Sequence, residues 1–230
     1  MNIYRNESLI KRNAKIAQFT LFGGLLVLAG GMYLSFRYPD QFYYSLLALV
    51  FGFILSQIGI YFSNRWSRKP RPDEILDQAL KGLDDKYYLY HFLSPVSHLL
   101  IGPCGVWNLR TYHQKGLITY RDGRWRQKGG SLYMKIFAQE SLGRPELEIQ
   151  ADETRLSKFL AENFKDNSVP EIFSSLVFTN SAVQIELSEN EPPPAETVYV
   201  AKLKDLIRKF AKSKTLSVEK IDQIVNILQK

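Results

Sequence analysis

Two stretches of this chain carry no charged residue at all: residues 16–36, which number 21, and residues 41–64, which number 24. At ~1.5 Å of rise per residue, either one is long enough as a helix to cross a hydrocarbon core of ~30 Å. The link between them is short, and Pro39 disfavours helix at Tyr38, so the spacing predicts an antiparallel helical hairpin. Tyr33, Tyr38, Phe42, Tyr43 and Tyr44 surround the turn as an interfacial aromatic belt. A cleaved signal peptide does not suit the first run, whose apolar part exceeds the usual ~7–15 residues and is followed by no A-x-A-like site. Gly23, Gly24, Gly30 and Gly31 in the first span, with Gly52-x3-Ser56 and Gly59-x3-Ser63 in the second, would let the helices approach closely. No ionisable residue lies inside either span, which argues against an ion or proton path.

The net charge of +7 belongs to the flanks of these spans. Residues 1–72 hold nine Lys/Arg against two Asp/Glu, whereas residues 73–230 hold 21 of each. Arg5, Lys11, Arg12 and Lys15 precede the first span and Arg65, Arg68, Lys69 and Arg71 follow the second, against Arg37 and Asp40 in the turn. The excess of positive charge on one side predicts a multi-pass protein of the plasma membrane with both termini cytoplasmic. The lipid bilayer is then its first partner. Cys104 is the single cysteine, so no internal disulfide forms.

The expected domains are a hairpin over residues 1–72, an α/β domain over 73–212 and a C-terminal helix over 213–230. In the second, a helix opens at Asp73 and Glu74, strands are expected at 87–92, 96–101, 105–109, 116–120 and 124–127, and a helix at 147–164. Two further strands at 172–178 and 182–187 precede an exposed loop at 189–194. Amphipathic helices follow at 200–212 and from Ser217 onward. This order predicts a mixed sheet flanked by helices. His91, His98 and His113 fall on scattered segments, too few for a ligand set or a triad with Ser97, and read as structural or surface residues.

The run Val96-Ser97-His98-Leu99-Leu100-Ile101-Gly102-Pro103-Cys104-Gly105-Val106-Trp107 resembles the nuclease-related domain, often called NERD, of the restriction-endonuclease-like superfamily. Asp73-Glu74, Gly116, Gly123-Arg124-Trp125, the segment from Pro145 through Gln150, and Val177-Phe178-Thr179-Asn180 fall in the matching order, so the likeness covers roughly residues 73–210. The resemblance implies a restriction-endonuclease-like fold and an active site built on the positions of Glu74, Ser97, Arg110, Tyr112 and Gln150. In the family the positions of Ser97 and Arg110 carry metal-binding acids and that of Tyr112 a lysine. Here all three are changed, and a fixed guanidinium cation repels Mg2+ from the place where a carboxylate would attract it. Rescue by Glu74, Asp77 or Asp122 is not called for by spacing.

The expectation is therefore a degenerate, non-catalytic member that needs no metal and no cofactor and serves as a cytoplasmic interaction or scaffold module for a protein partner. The alternative is nucleic-acid or nucleotide binding through a basic and aromatic stripe, with Arg110, Lys115, Arg124, Trp125 and Arg126 as phosphate or base contacts; residual nuclease activity is the third reading. Against the stripe stands a solvated sheet edge whose charges discourage aggregation.

Overall fold

The computed structural model describes residues 1–129, 131, 137, 141–164, 169–213 and 216–229. The chain is mixed α/β, with two long apolar helices near the N-terminus followed by a mixed sheet with helices. It divides into two compact units. Of the described residues, one unit comprises 7–71 and Phe137, and the other 1–6, 72–129, 131, 141–164, 169–213 and 216–229.

In the first unit, helix α1 (Glu7–Arg37) and helix α2 (Phe42–Phe62) run antiparallel. Both are long and apolar enough to cross a membrane, yet only 11% and 17% of their most apolar windows are buried. The packing is inverted relative to a soluble core. Ala17, Gly24 and Gly31 of α1 and Ser45, Gly52 and Gly59 of α2 are buried, while Phe19, Phe22, Leu26, Phe36 and Leu47 point outward. Each buried set repeats every seven residues, the period that keeps one seam facing a partner in a left-handed supercoil. A Cβ built on Gly24 would lie 2.6 Å from Ser56 Oγ, and one on Gly52 would lie 3.0 Å from Leu28 N. The Ser45 hydroxyl donates across the seam to the Gly31 carbonyl at 3.2 Å. Close backbone approach thus replaces side-chain interdigitation, which suits a surrounding that is itself apolar.

The second unit begins with a strand where the sequence reading placed only a basic flank. Strand β1 (Asn2–Arg5) pairs in parallel with β2 (Tyr88–His91), which joins β3 (His98–Gly102) and β4 (Gly105–Tyr112) in an antiparallel meander. Beyond β4 come β7 (Ile172–Phe178) and β9 (Glu196–Tyr199), both parallel to it, giving the order β1-β2-β3-β4-β7-β9. Strands β5 (Gly116–Arg121), β6 (Arg124–Lys128) and β8 (Val183–Glu186) form a second sheet in the order β6-β5-β8. Its tight turn has Asp122 and Gly123 at φ 54° and 69°, as an Asp-Gly turn requires. Gly116 is confined to glycine twice over, by φ 95° and by the Lys128 carbonyl 2.5 Å from where a Cβ would stand.

Helices cover both faces of the larger sheet, which is why every residue of β3 is buried. On one face α3 (Pro72–Leu80) and α5 (Leu203–Ser213) bring Leu76, Leu80, Leu203 and Ile207 onto Leu100, Trp107 and Leu109. On the other, α4 (Pro145–Asn163) and α6 (Val218–Leu228) bring Leu156, Leu160, Ile221 and Ile224 onto Leu99, Ile101 and Val106. The last helix is therefore part of this core.

Gly59→Leu should destabilise the hairpin by about 2 kcal/mol, because its Cβ would lie 2.8 Å from Leu21 N, a backbone atom that cannot swing aside. Gly23→Leu, with nothing within 4 Å, should leave it unchanged. Denaturation of the full chain in detergent, followed by helical ellipticity, compares the two.

Candidate functional site

Strand β4 ends at the carboxyl edge of the sheet, the edge where α/β proteins place their ligand sites. Alternation along β4 turns Arg110 and Tyr112 to the face covered by α4. There the first turns of α4 present Glu148 and Asp152, four residues apart and so on one helix face. Arg110 Nε and Nη2 both lie 2.9 Å from Glu148 Oε2, and Nη1 donates to Asp152 Oδ2 at 2.5 Å. The Tyr112 hydroxyl donates to the same Glu148 oxygen at 2.9 Å. Arg155 binds the other oxygen of Asp152.

The electrostatics hold this cluster together. Burial works against the charged guanidinium of Arg110, but Tyr112, Asp152 and Glu148 outweigh it and raise its pKa. Burial, followed by the Glu148 charge, raises that of Tyr112, so its proton stays on the oxygen that donates. Asp152 has 4% of its side chain exposed, and without Arg110 its charge would be stranded in a poor solvent. The acids nearest the position where the resemblance implies a metal-binding carboxylate are thus already paired with Arg110 and Arg155. Among the described residues, no group of three His, Cys, Asp or Glu side chains is arranged to hold a metal ion.

The remaining expected site residues are not gathered here. Ser97 precedes β3, where its carbonyl accepts from Phe92 N at 2.9 Å, and the β3–β4 pairing ends at Leu99–Asn108, two residues short of setting Ser97 opposite Arg110. Glu74 belongs to α3, on the opposite face of the sheet. Gln150 lies on the exposed side of α4, and Lys115 is half-buried between β4 and β5.

The basic and aromatic stripe is not a stacking surface. Trp107, Tyr112, Tyr120 and Trp125 are all core residues, because the two-residue period of β6 sends Trp125 inward while Arg124, Arg126 and Lys128 point out. Trp125 therefore offers no face to a base, Arg110 is committed to two carboxylates, and Arg126 reaches Asp122 at 2.8 Å. The outward cations line an edge strand of the smaller sheet, where they oppose edge-to-edge pairing.

A second polar cluster, which sequence reading did not assemble, lies on the α3 face. Arg5, His91 and His98 stand in register across β1, β2 and β3. His91 Nδ1 is 2.8 Å from His98 Nδ1, and His91 Nε2 is 3.0 Å from Asp77 Oδ1. In a neutral pair, with His91 Nε2–H donating to Asp77, His98 supplies the proton between the two Nδ1 atoms. Arg5 pairs with Asp77 and, at 3.3 Å, with the fully buried Asp73. His91 and His98 are thus partners rather than scattered residues, and Asp77 serves Arg5 and His91 rather than a metal. The i, i+4 spacing of Asp73 and Asp77 was the available signal. The pair also joins the segment that leaves this unit after Asn6 to the one that re-enters at Pro72.

No protein-family model matches the chain, and no curated protein and no solved structure matches it either.

Arg110→Ala should cost about 2 kcal/mol of stability, less than a fully buried pair because Glu148 is 37% exposed; denaturant unfolding of the full chain measures it. Burial also pushes the Cys104 thiol up to about 12 from its ordinary 9.0, and the Tyr90 hydroxyl up to about 12. Both protonated forms are favoured by folding, so that stability is complete below pH ~9 and is lost as pH rises toward ~12. An alkaline titration by ellipticity should show this loss, and iodoacetamide at neutral pH should alkylate Cys104 only after denaturation.

Proposed function

We propose that this chain is a membrane-anchored, non-catalytic interaction module carried on a nuclease-like α/β domain. The observation that carries the reading is the double pairing of Arg110 with Glu148 and Asp152 at the carboxyl edge of the sheet. Metal-assisted phosphodiester cleavage uses carboxylate oxygens to hold a divalent cation against the phosphate. A site with Arg110 and Tyr112 at two of the positions implied by the resemblance, and with its nearest acids already paired, offers no such oxygen set among the described residues.

The succession of α3, the β2-β3-β4 meander, α4 and parallel β7 supports a restriction-endonuclease-like reading, since the Gly-Pro-x-Gly-Val block occupies the β3–β4 turn and the segment from Pro145 through Gln150 opens α4. The outward apolar surfaces of α1 and α2 support anchoring in a bilayer, and the basic flanks favour a two-span arrangement in the plasma membrane with both ends in the cytoplasm. Nucleic-acid binding through the β6 face is the weaker reading, because Arg110 and Trp125 are both withdrawn from that surface.

Purified full chain incubated with supercoiled and linear DNA in Mg2+ or Mn2+ should release no more product than a protein-free control. Cleavage that disappears in Glu74→Ala would overturn the reading.

A further inference from the structure

The charge of the second unit sums to near zero but is sorted into opposed segments. Residues 202–212 hold five Lys/Arg against Asp205, and residues 186–196 hold four Glu and no Lys or Arg. The segments balance as +4 and −4.

Both are available at the surface. Helix α5 buries Leu203 and Ile207 and packs Leu206 and Phe210 against the same core, which leaves Arg208, Lys209 and Lys212 on its exposed side. Lys204 and Arg208 donate to the Lys81 and Gly82 carbonyls, at 3.1 and 3.3 Å, and so are anchored without being neutralised. Among the described residues, none of the cations in this segment meets a carboxylate. In the acidic segment Glu191 is engaged by the Asp122 and Gly123 backbone N–H groups, whereas Glu186, Glu189 and Glu196 are exposed and meet no cation among the described residues.

We infer that the exposed side of α5 docks on the acidic 186–196 segment of a second copy of this chain. The two surfaces match in sign and magnitude, and the rest of the unit adds no net field that would favour a polyanion such as nucleic acid. The exposed residues of α5 are Asp205, Arg208, Lys209, Lys212 and Ser213, with no apolar wedge for entering lipid. Because the two surfaces differ, the contact is head-to-tail and extends into a row or closes into a ring. Single exposed ion pairs are weak, but copies confined to one bilayer meet at a raised effective concentration, where several weak pairs acting together suffice. The inference rests on the anchored, interacting reading and names its partner.

The test uses the full chain, light and isotope-heavy copies mixed in phosphatidylcholine vesicles, treated with a carbodiimide that condenses a lysine amine and a glutamate carboxyl to an amide with loss of water. Mass spectrometry should find mixed-isotope peptides joining 202–212 to 186–196. Their yield should fall about five-fold in K209E/K212E and in E186K/E189K taken separately, and in high salt, as exposed ion pairs do. Mixing those two variants should restore it, which also shows that both are folded. Reversal at R124E/K128E should change nothing. Links confined to one isotope, or no restoration on mixing, would overturn the inference; K209A/K212A serves if a reversed variant does not fold. Resistance of the same vesicles to an alkaline carbonate wash reports anchoring separately, so that loss of the contact and loss of the anchor are distinguishable.

Discussion

Charge removed from water has to find an opposite charge within the protein, and at the carboxyl edge of this sheet two arginines meet that demand from opposite faces. Arg110 compensates Glu148 and Asp152 beneath α4, and Arg5 compensates Asp73 and Asp77 beneath α3. Each anchors a helix to the strand that carries it, so the same interactions that close the edge also position its flanking helices. At both places the carboxylates at this edge are held by guanidinium groups of the same domain.

The hairpin follows the reverse logic. From Ala17 onward its buried residues are Ala, Gly and Ser, and many of its largest apolar side chains are on the outside. Where the solvent is as apolar as leucine, nothing is gained by hiding leucine, and contact between backbones becomes the available source of stability. The seven-residue spacing of Ala17, Gly24 and Gly31 against Ser45, Gly52 and Gly59 is the signature of that contact. Gly23 and Gly30 lie one position away and face open space, which separates the packing glycines from the permissive ones.

Much of this architecture was legible because it rests on local periodicity. The two uncharged runs, the Asp122-Gly123 turn, the amphipathic α5 and α6 and the apolar β3 each declare themselves within about a dozen residues. What escaped depends on distant pairing. β1 is four residues whose partner is β2, across the whole hairpin, and β9 follows three prolines that read as loop. The same holds for the candidate site. Arg110 was singled out, but Glu148 and Asp152, 38 and 42 residues away, looked like the solvent side of a helix. Arg124-Trp125-Arg126 read as one mixed surface until the strand's alternation sent the indole to the core and the guanidinium groups to water.

The parallel pairing of β1 with β2 has a consequence for the order of assembly. Its partner strand is made only after both apolar helices have been synthesised, and a parallel ladder between segments so far apart closes late, once the intervening chain has been placed. Until then the outer edge of β2 stays open, so β1 waits for a partner that is made only after the hairpin.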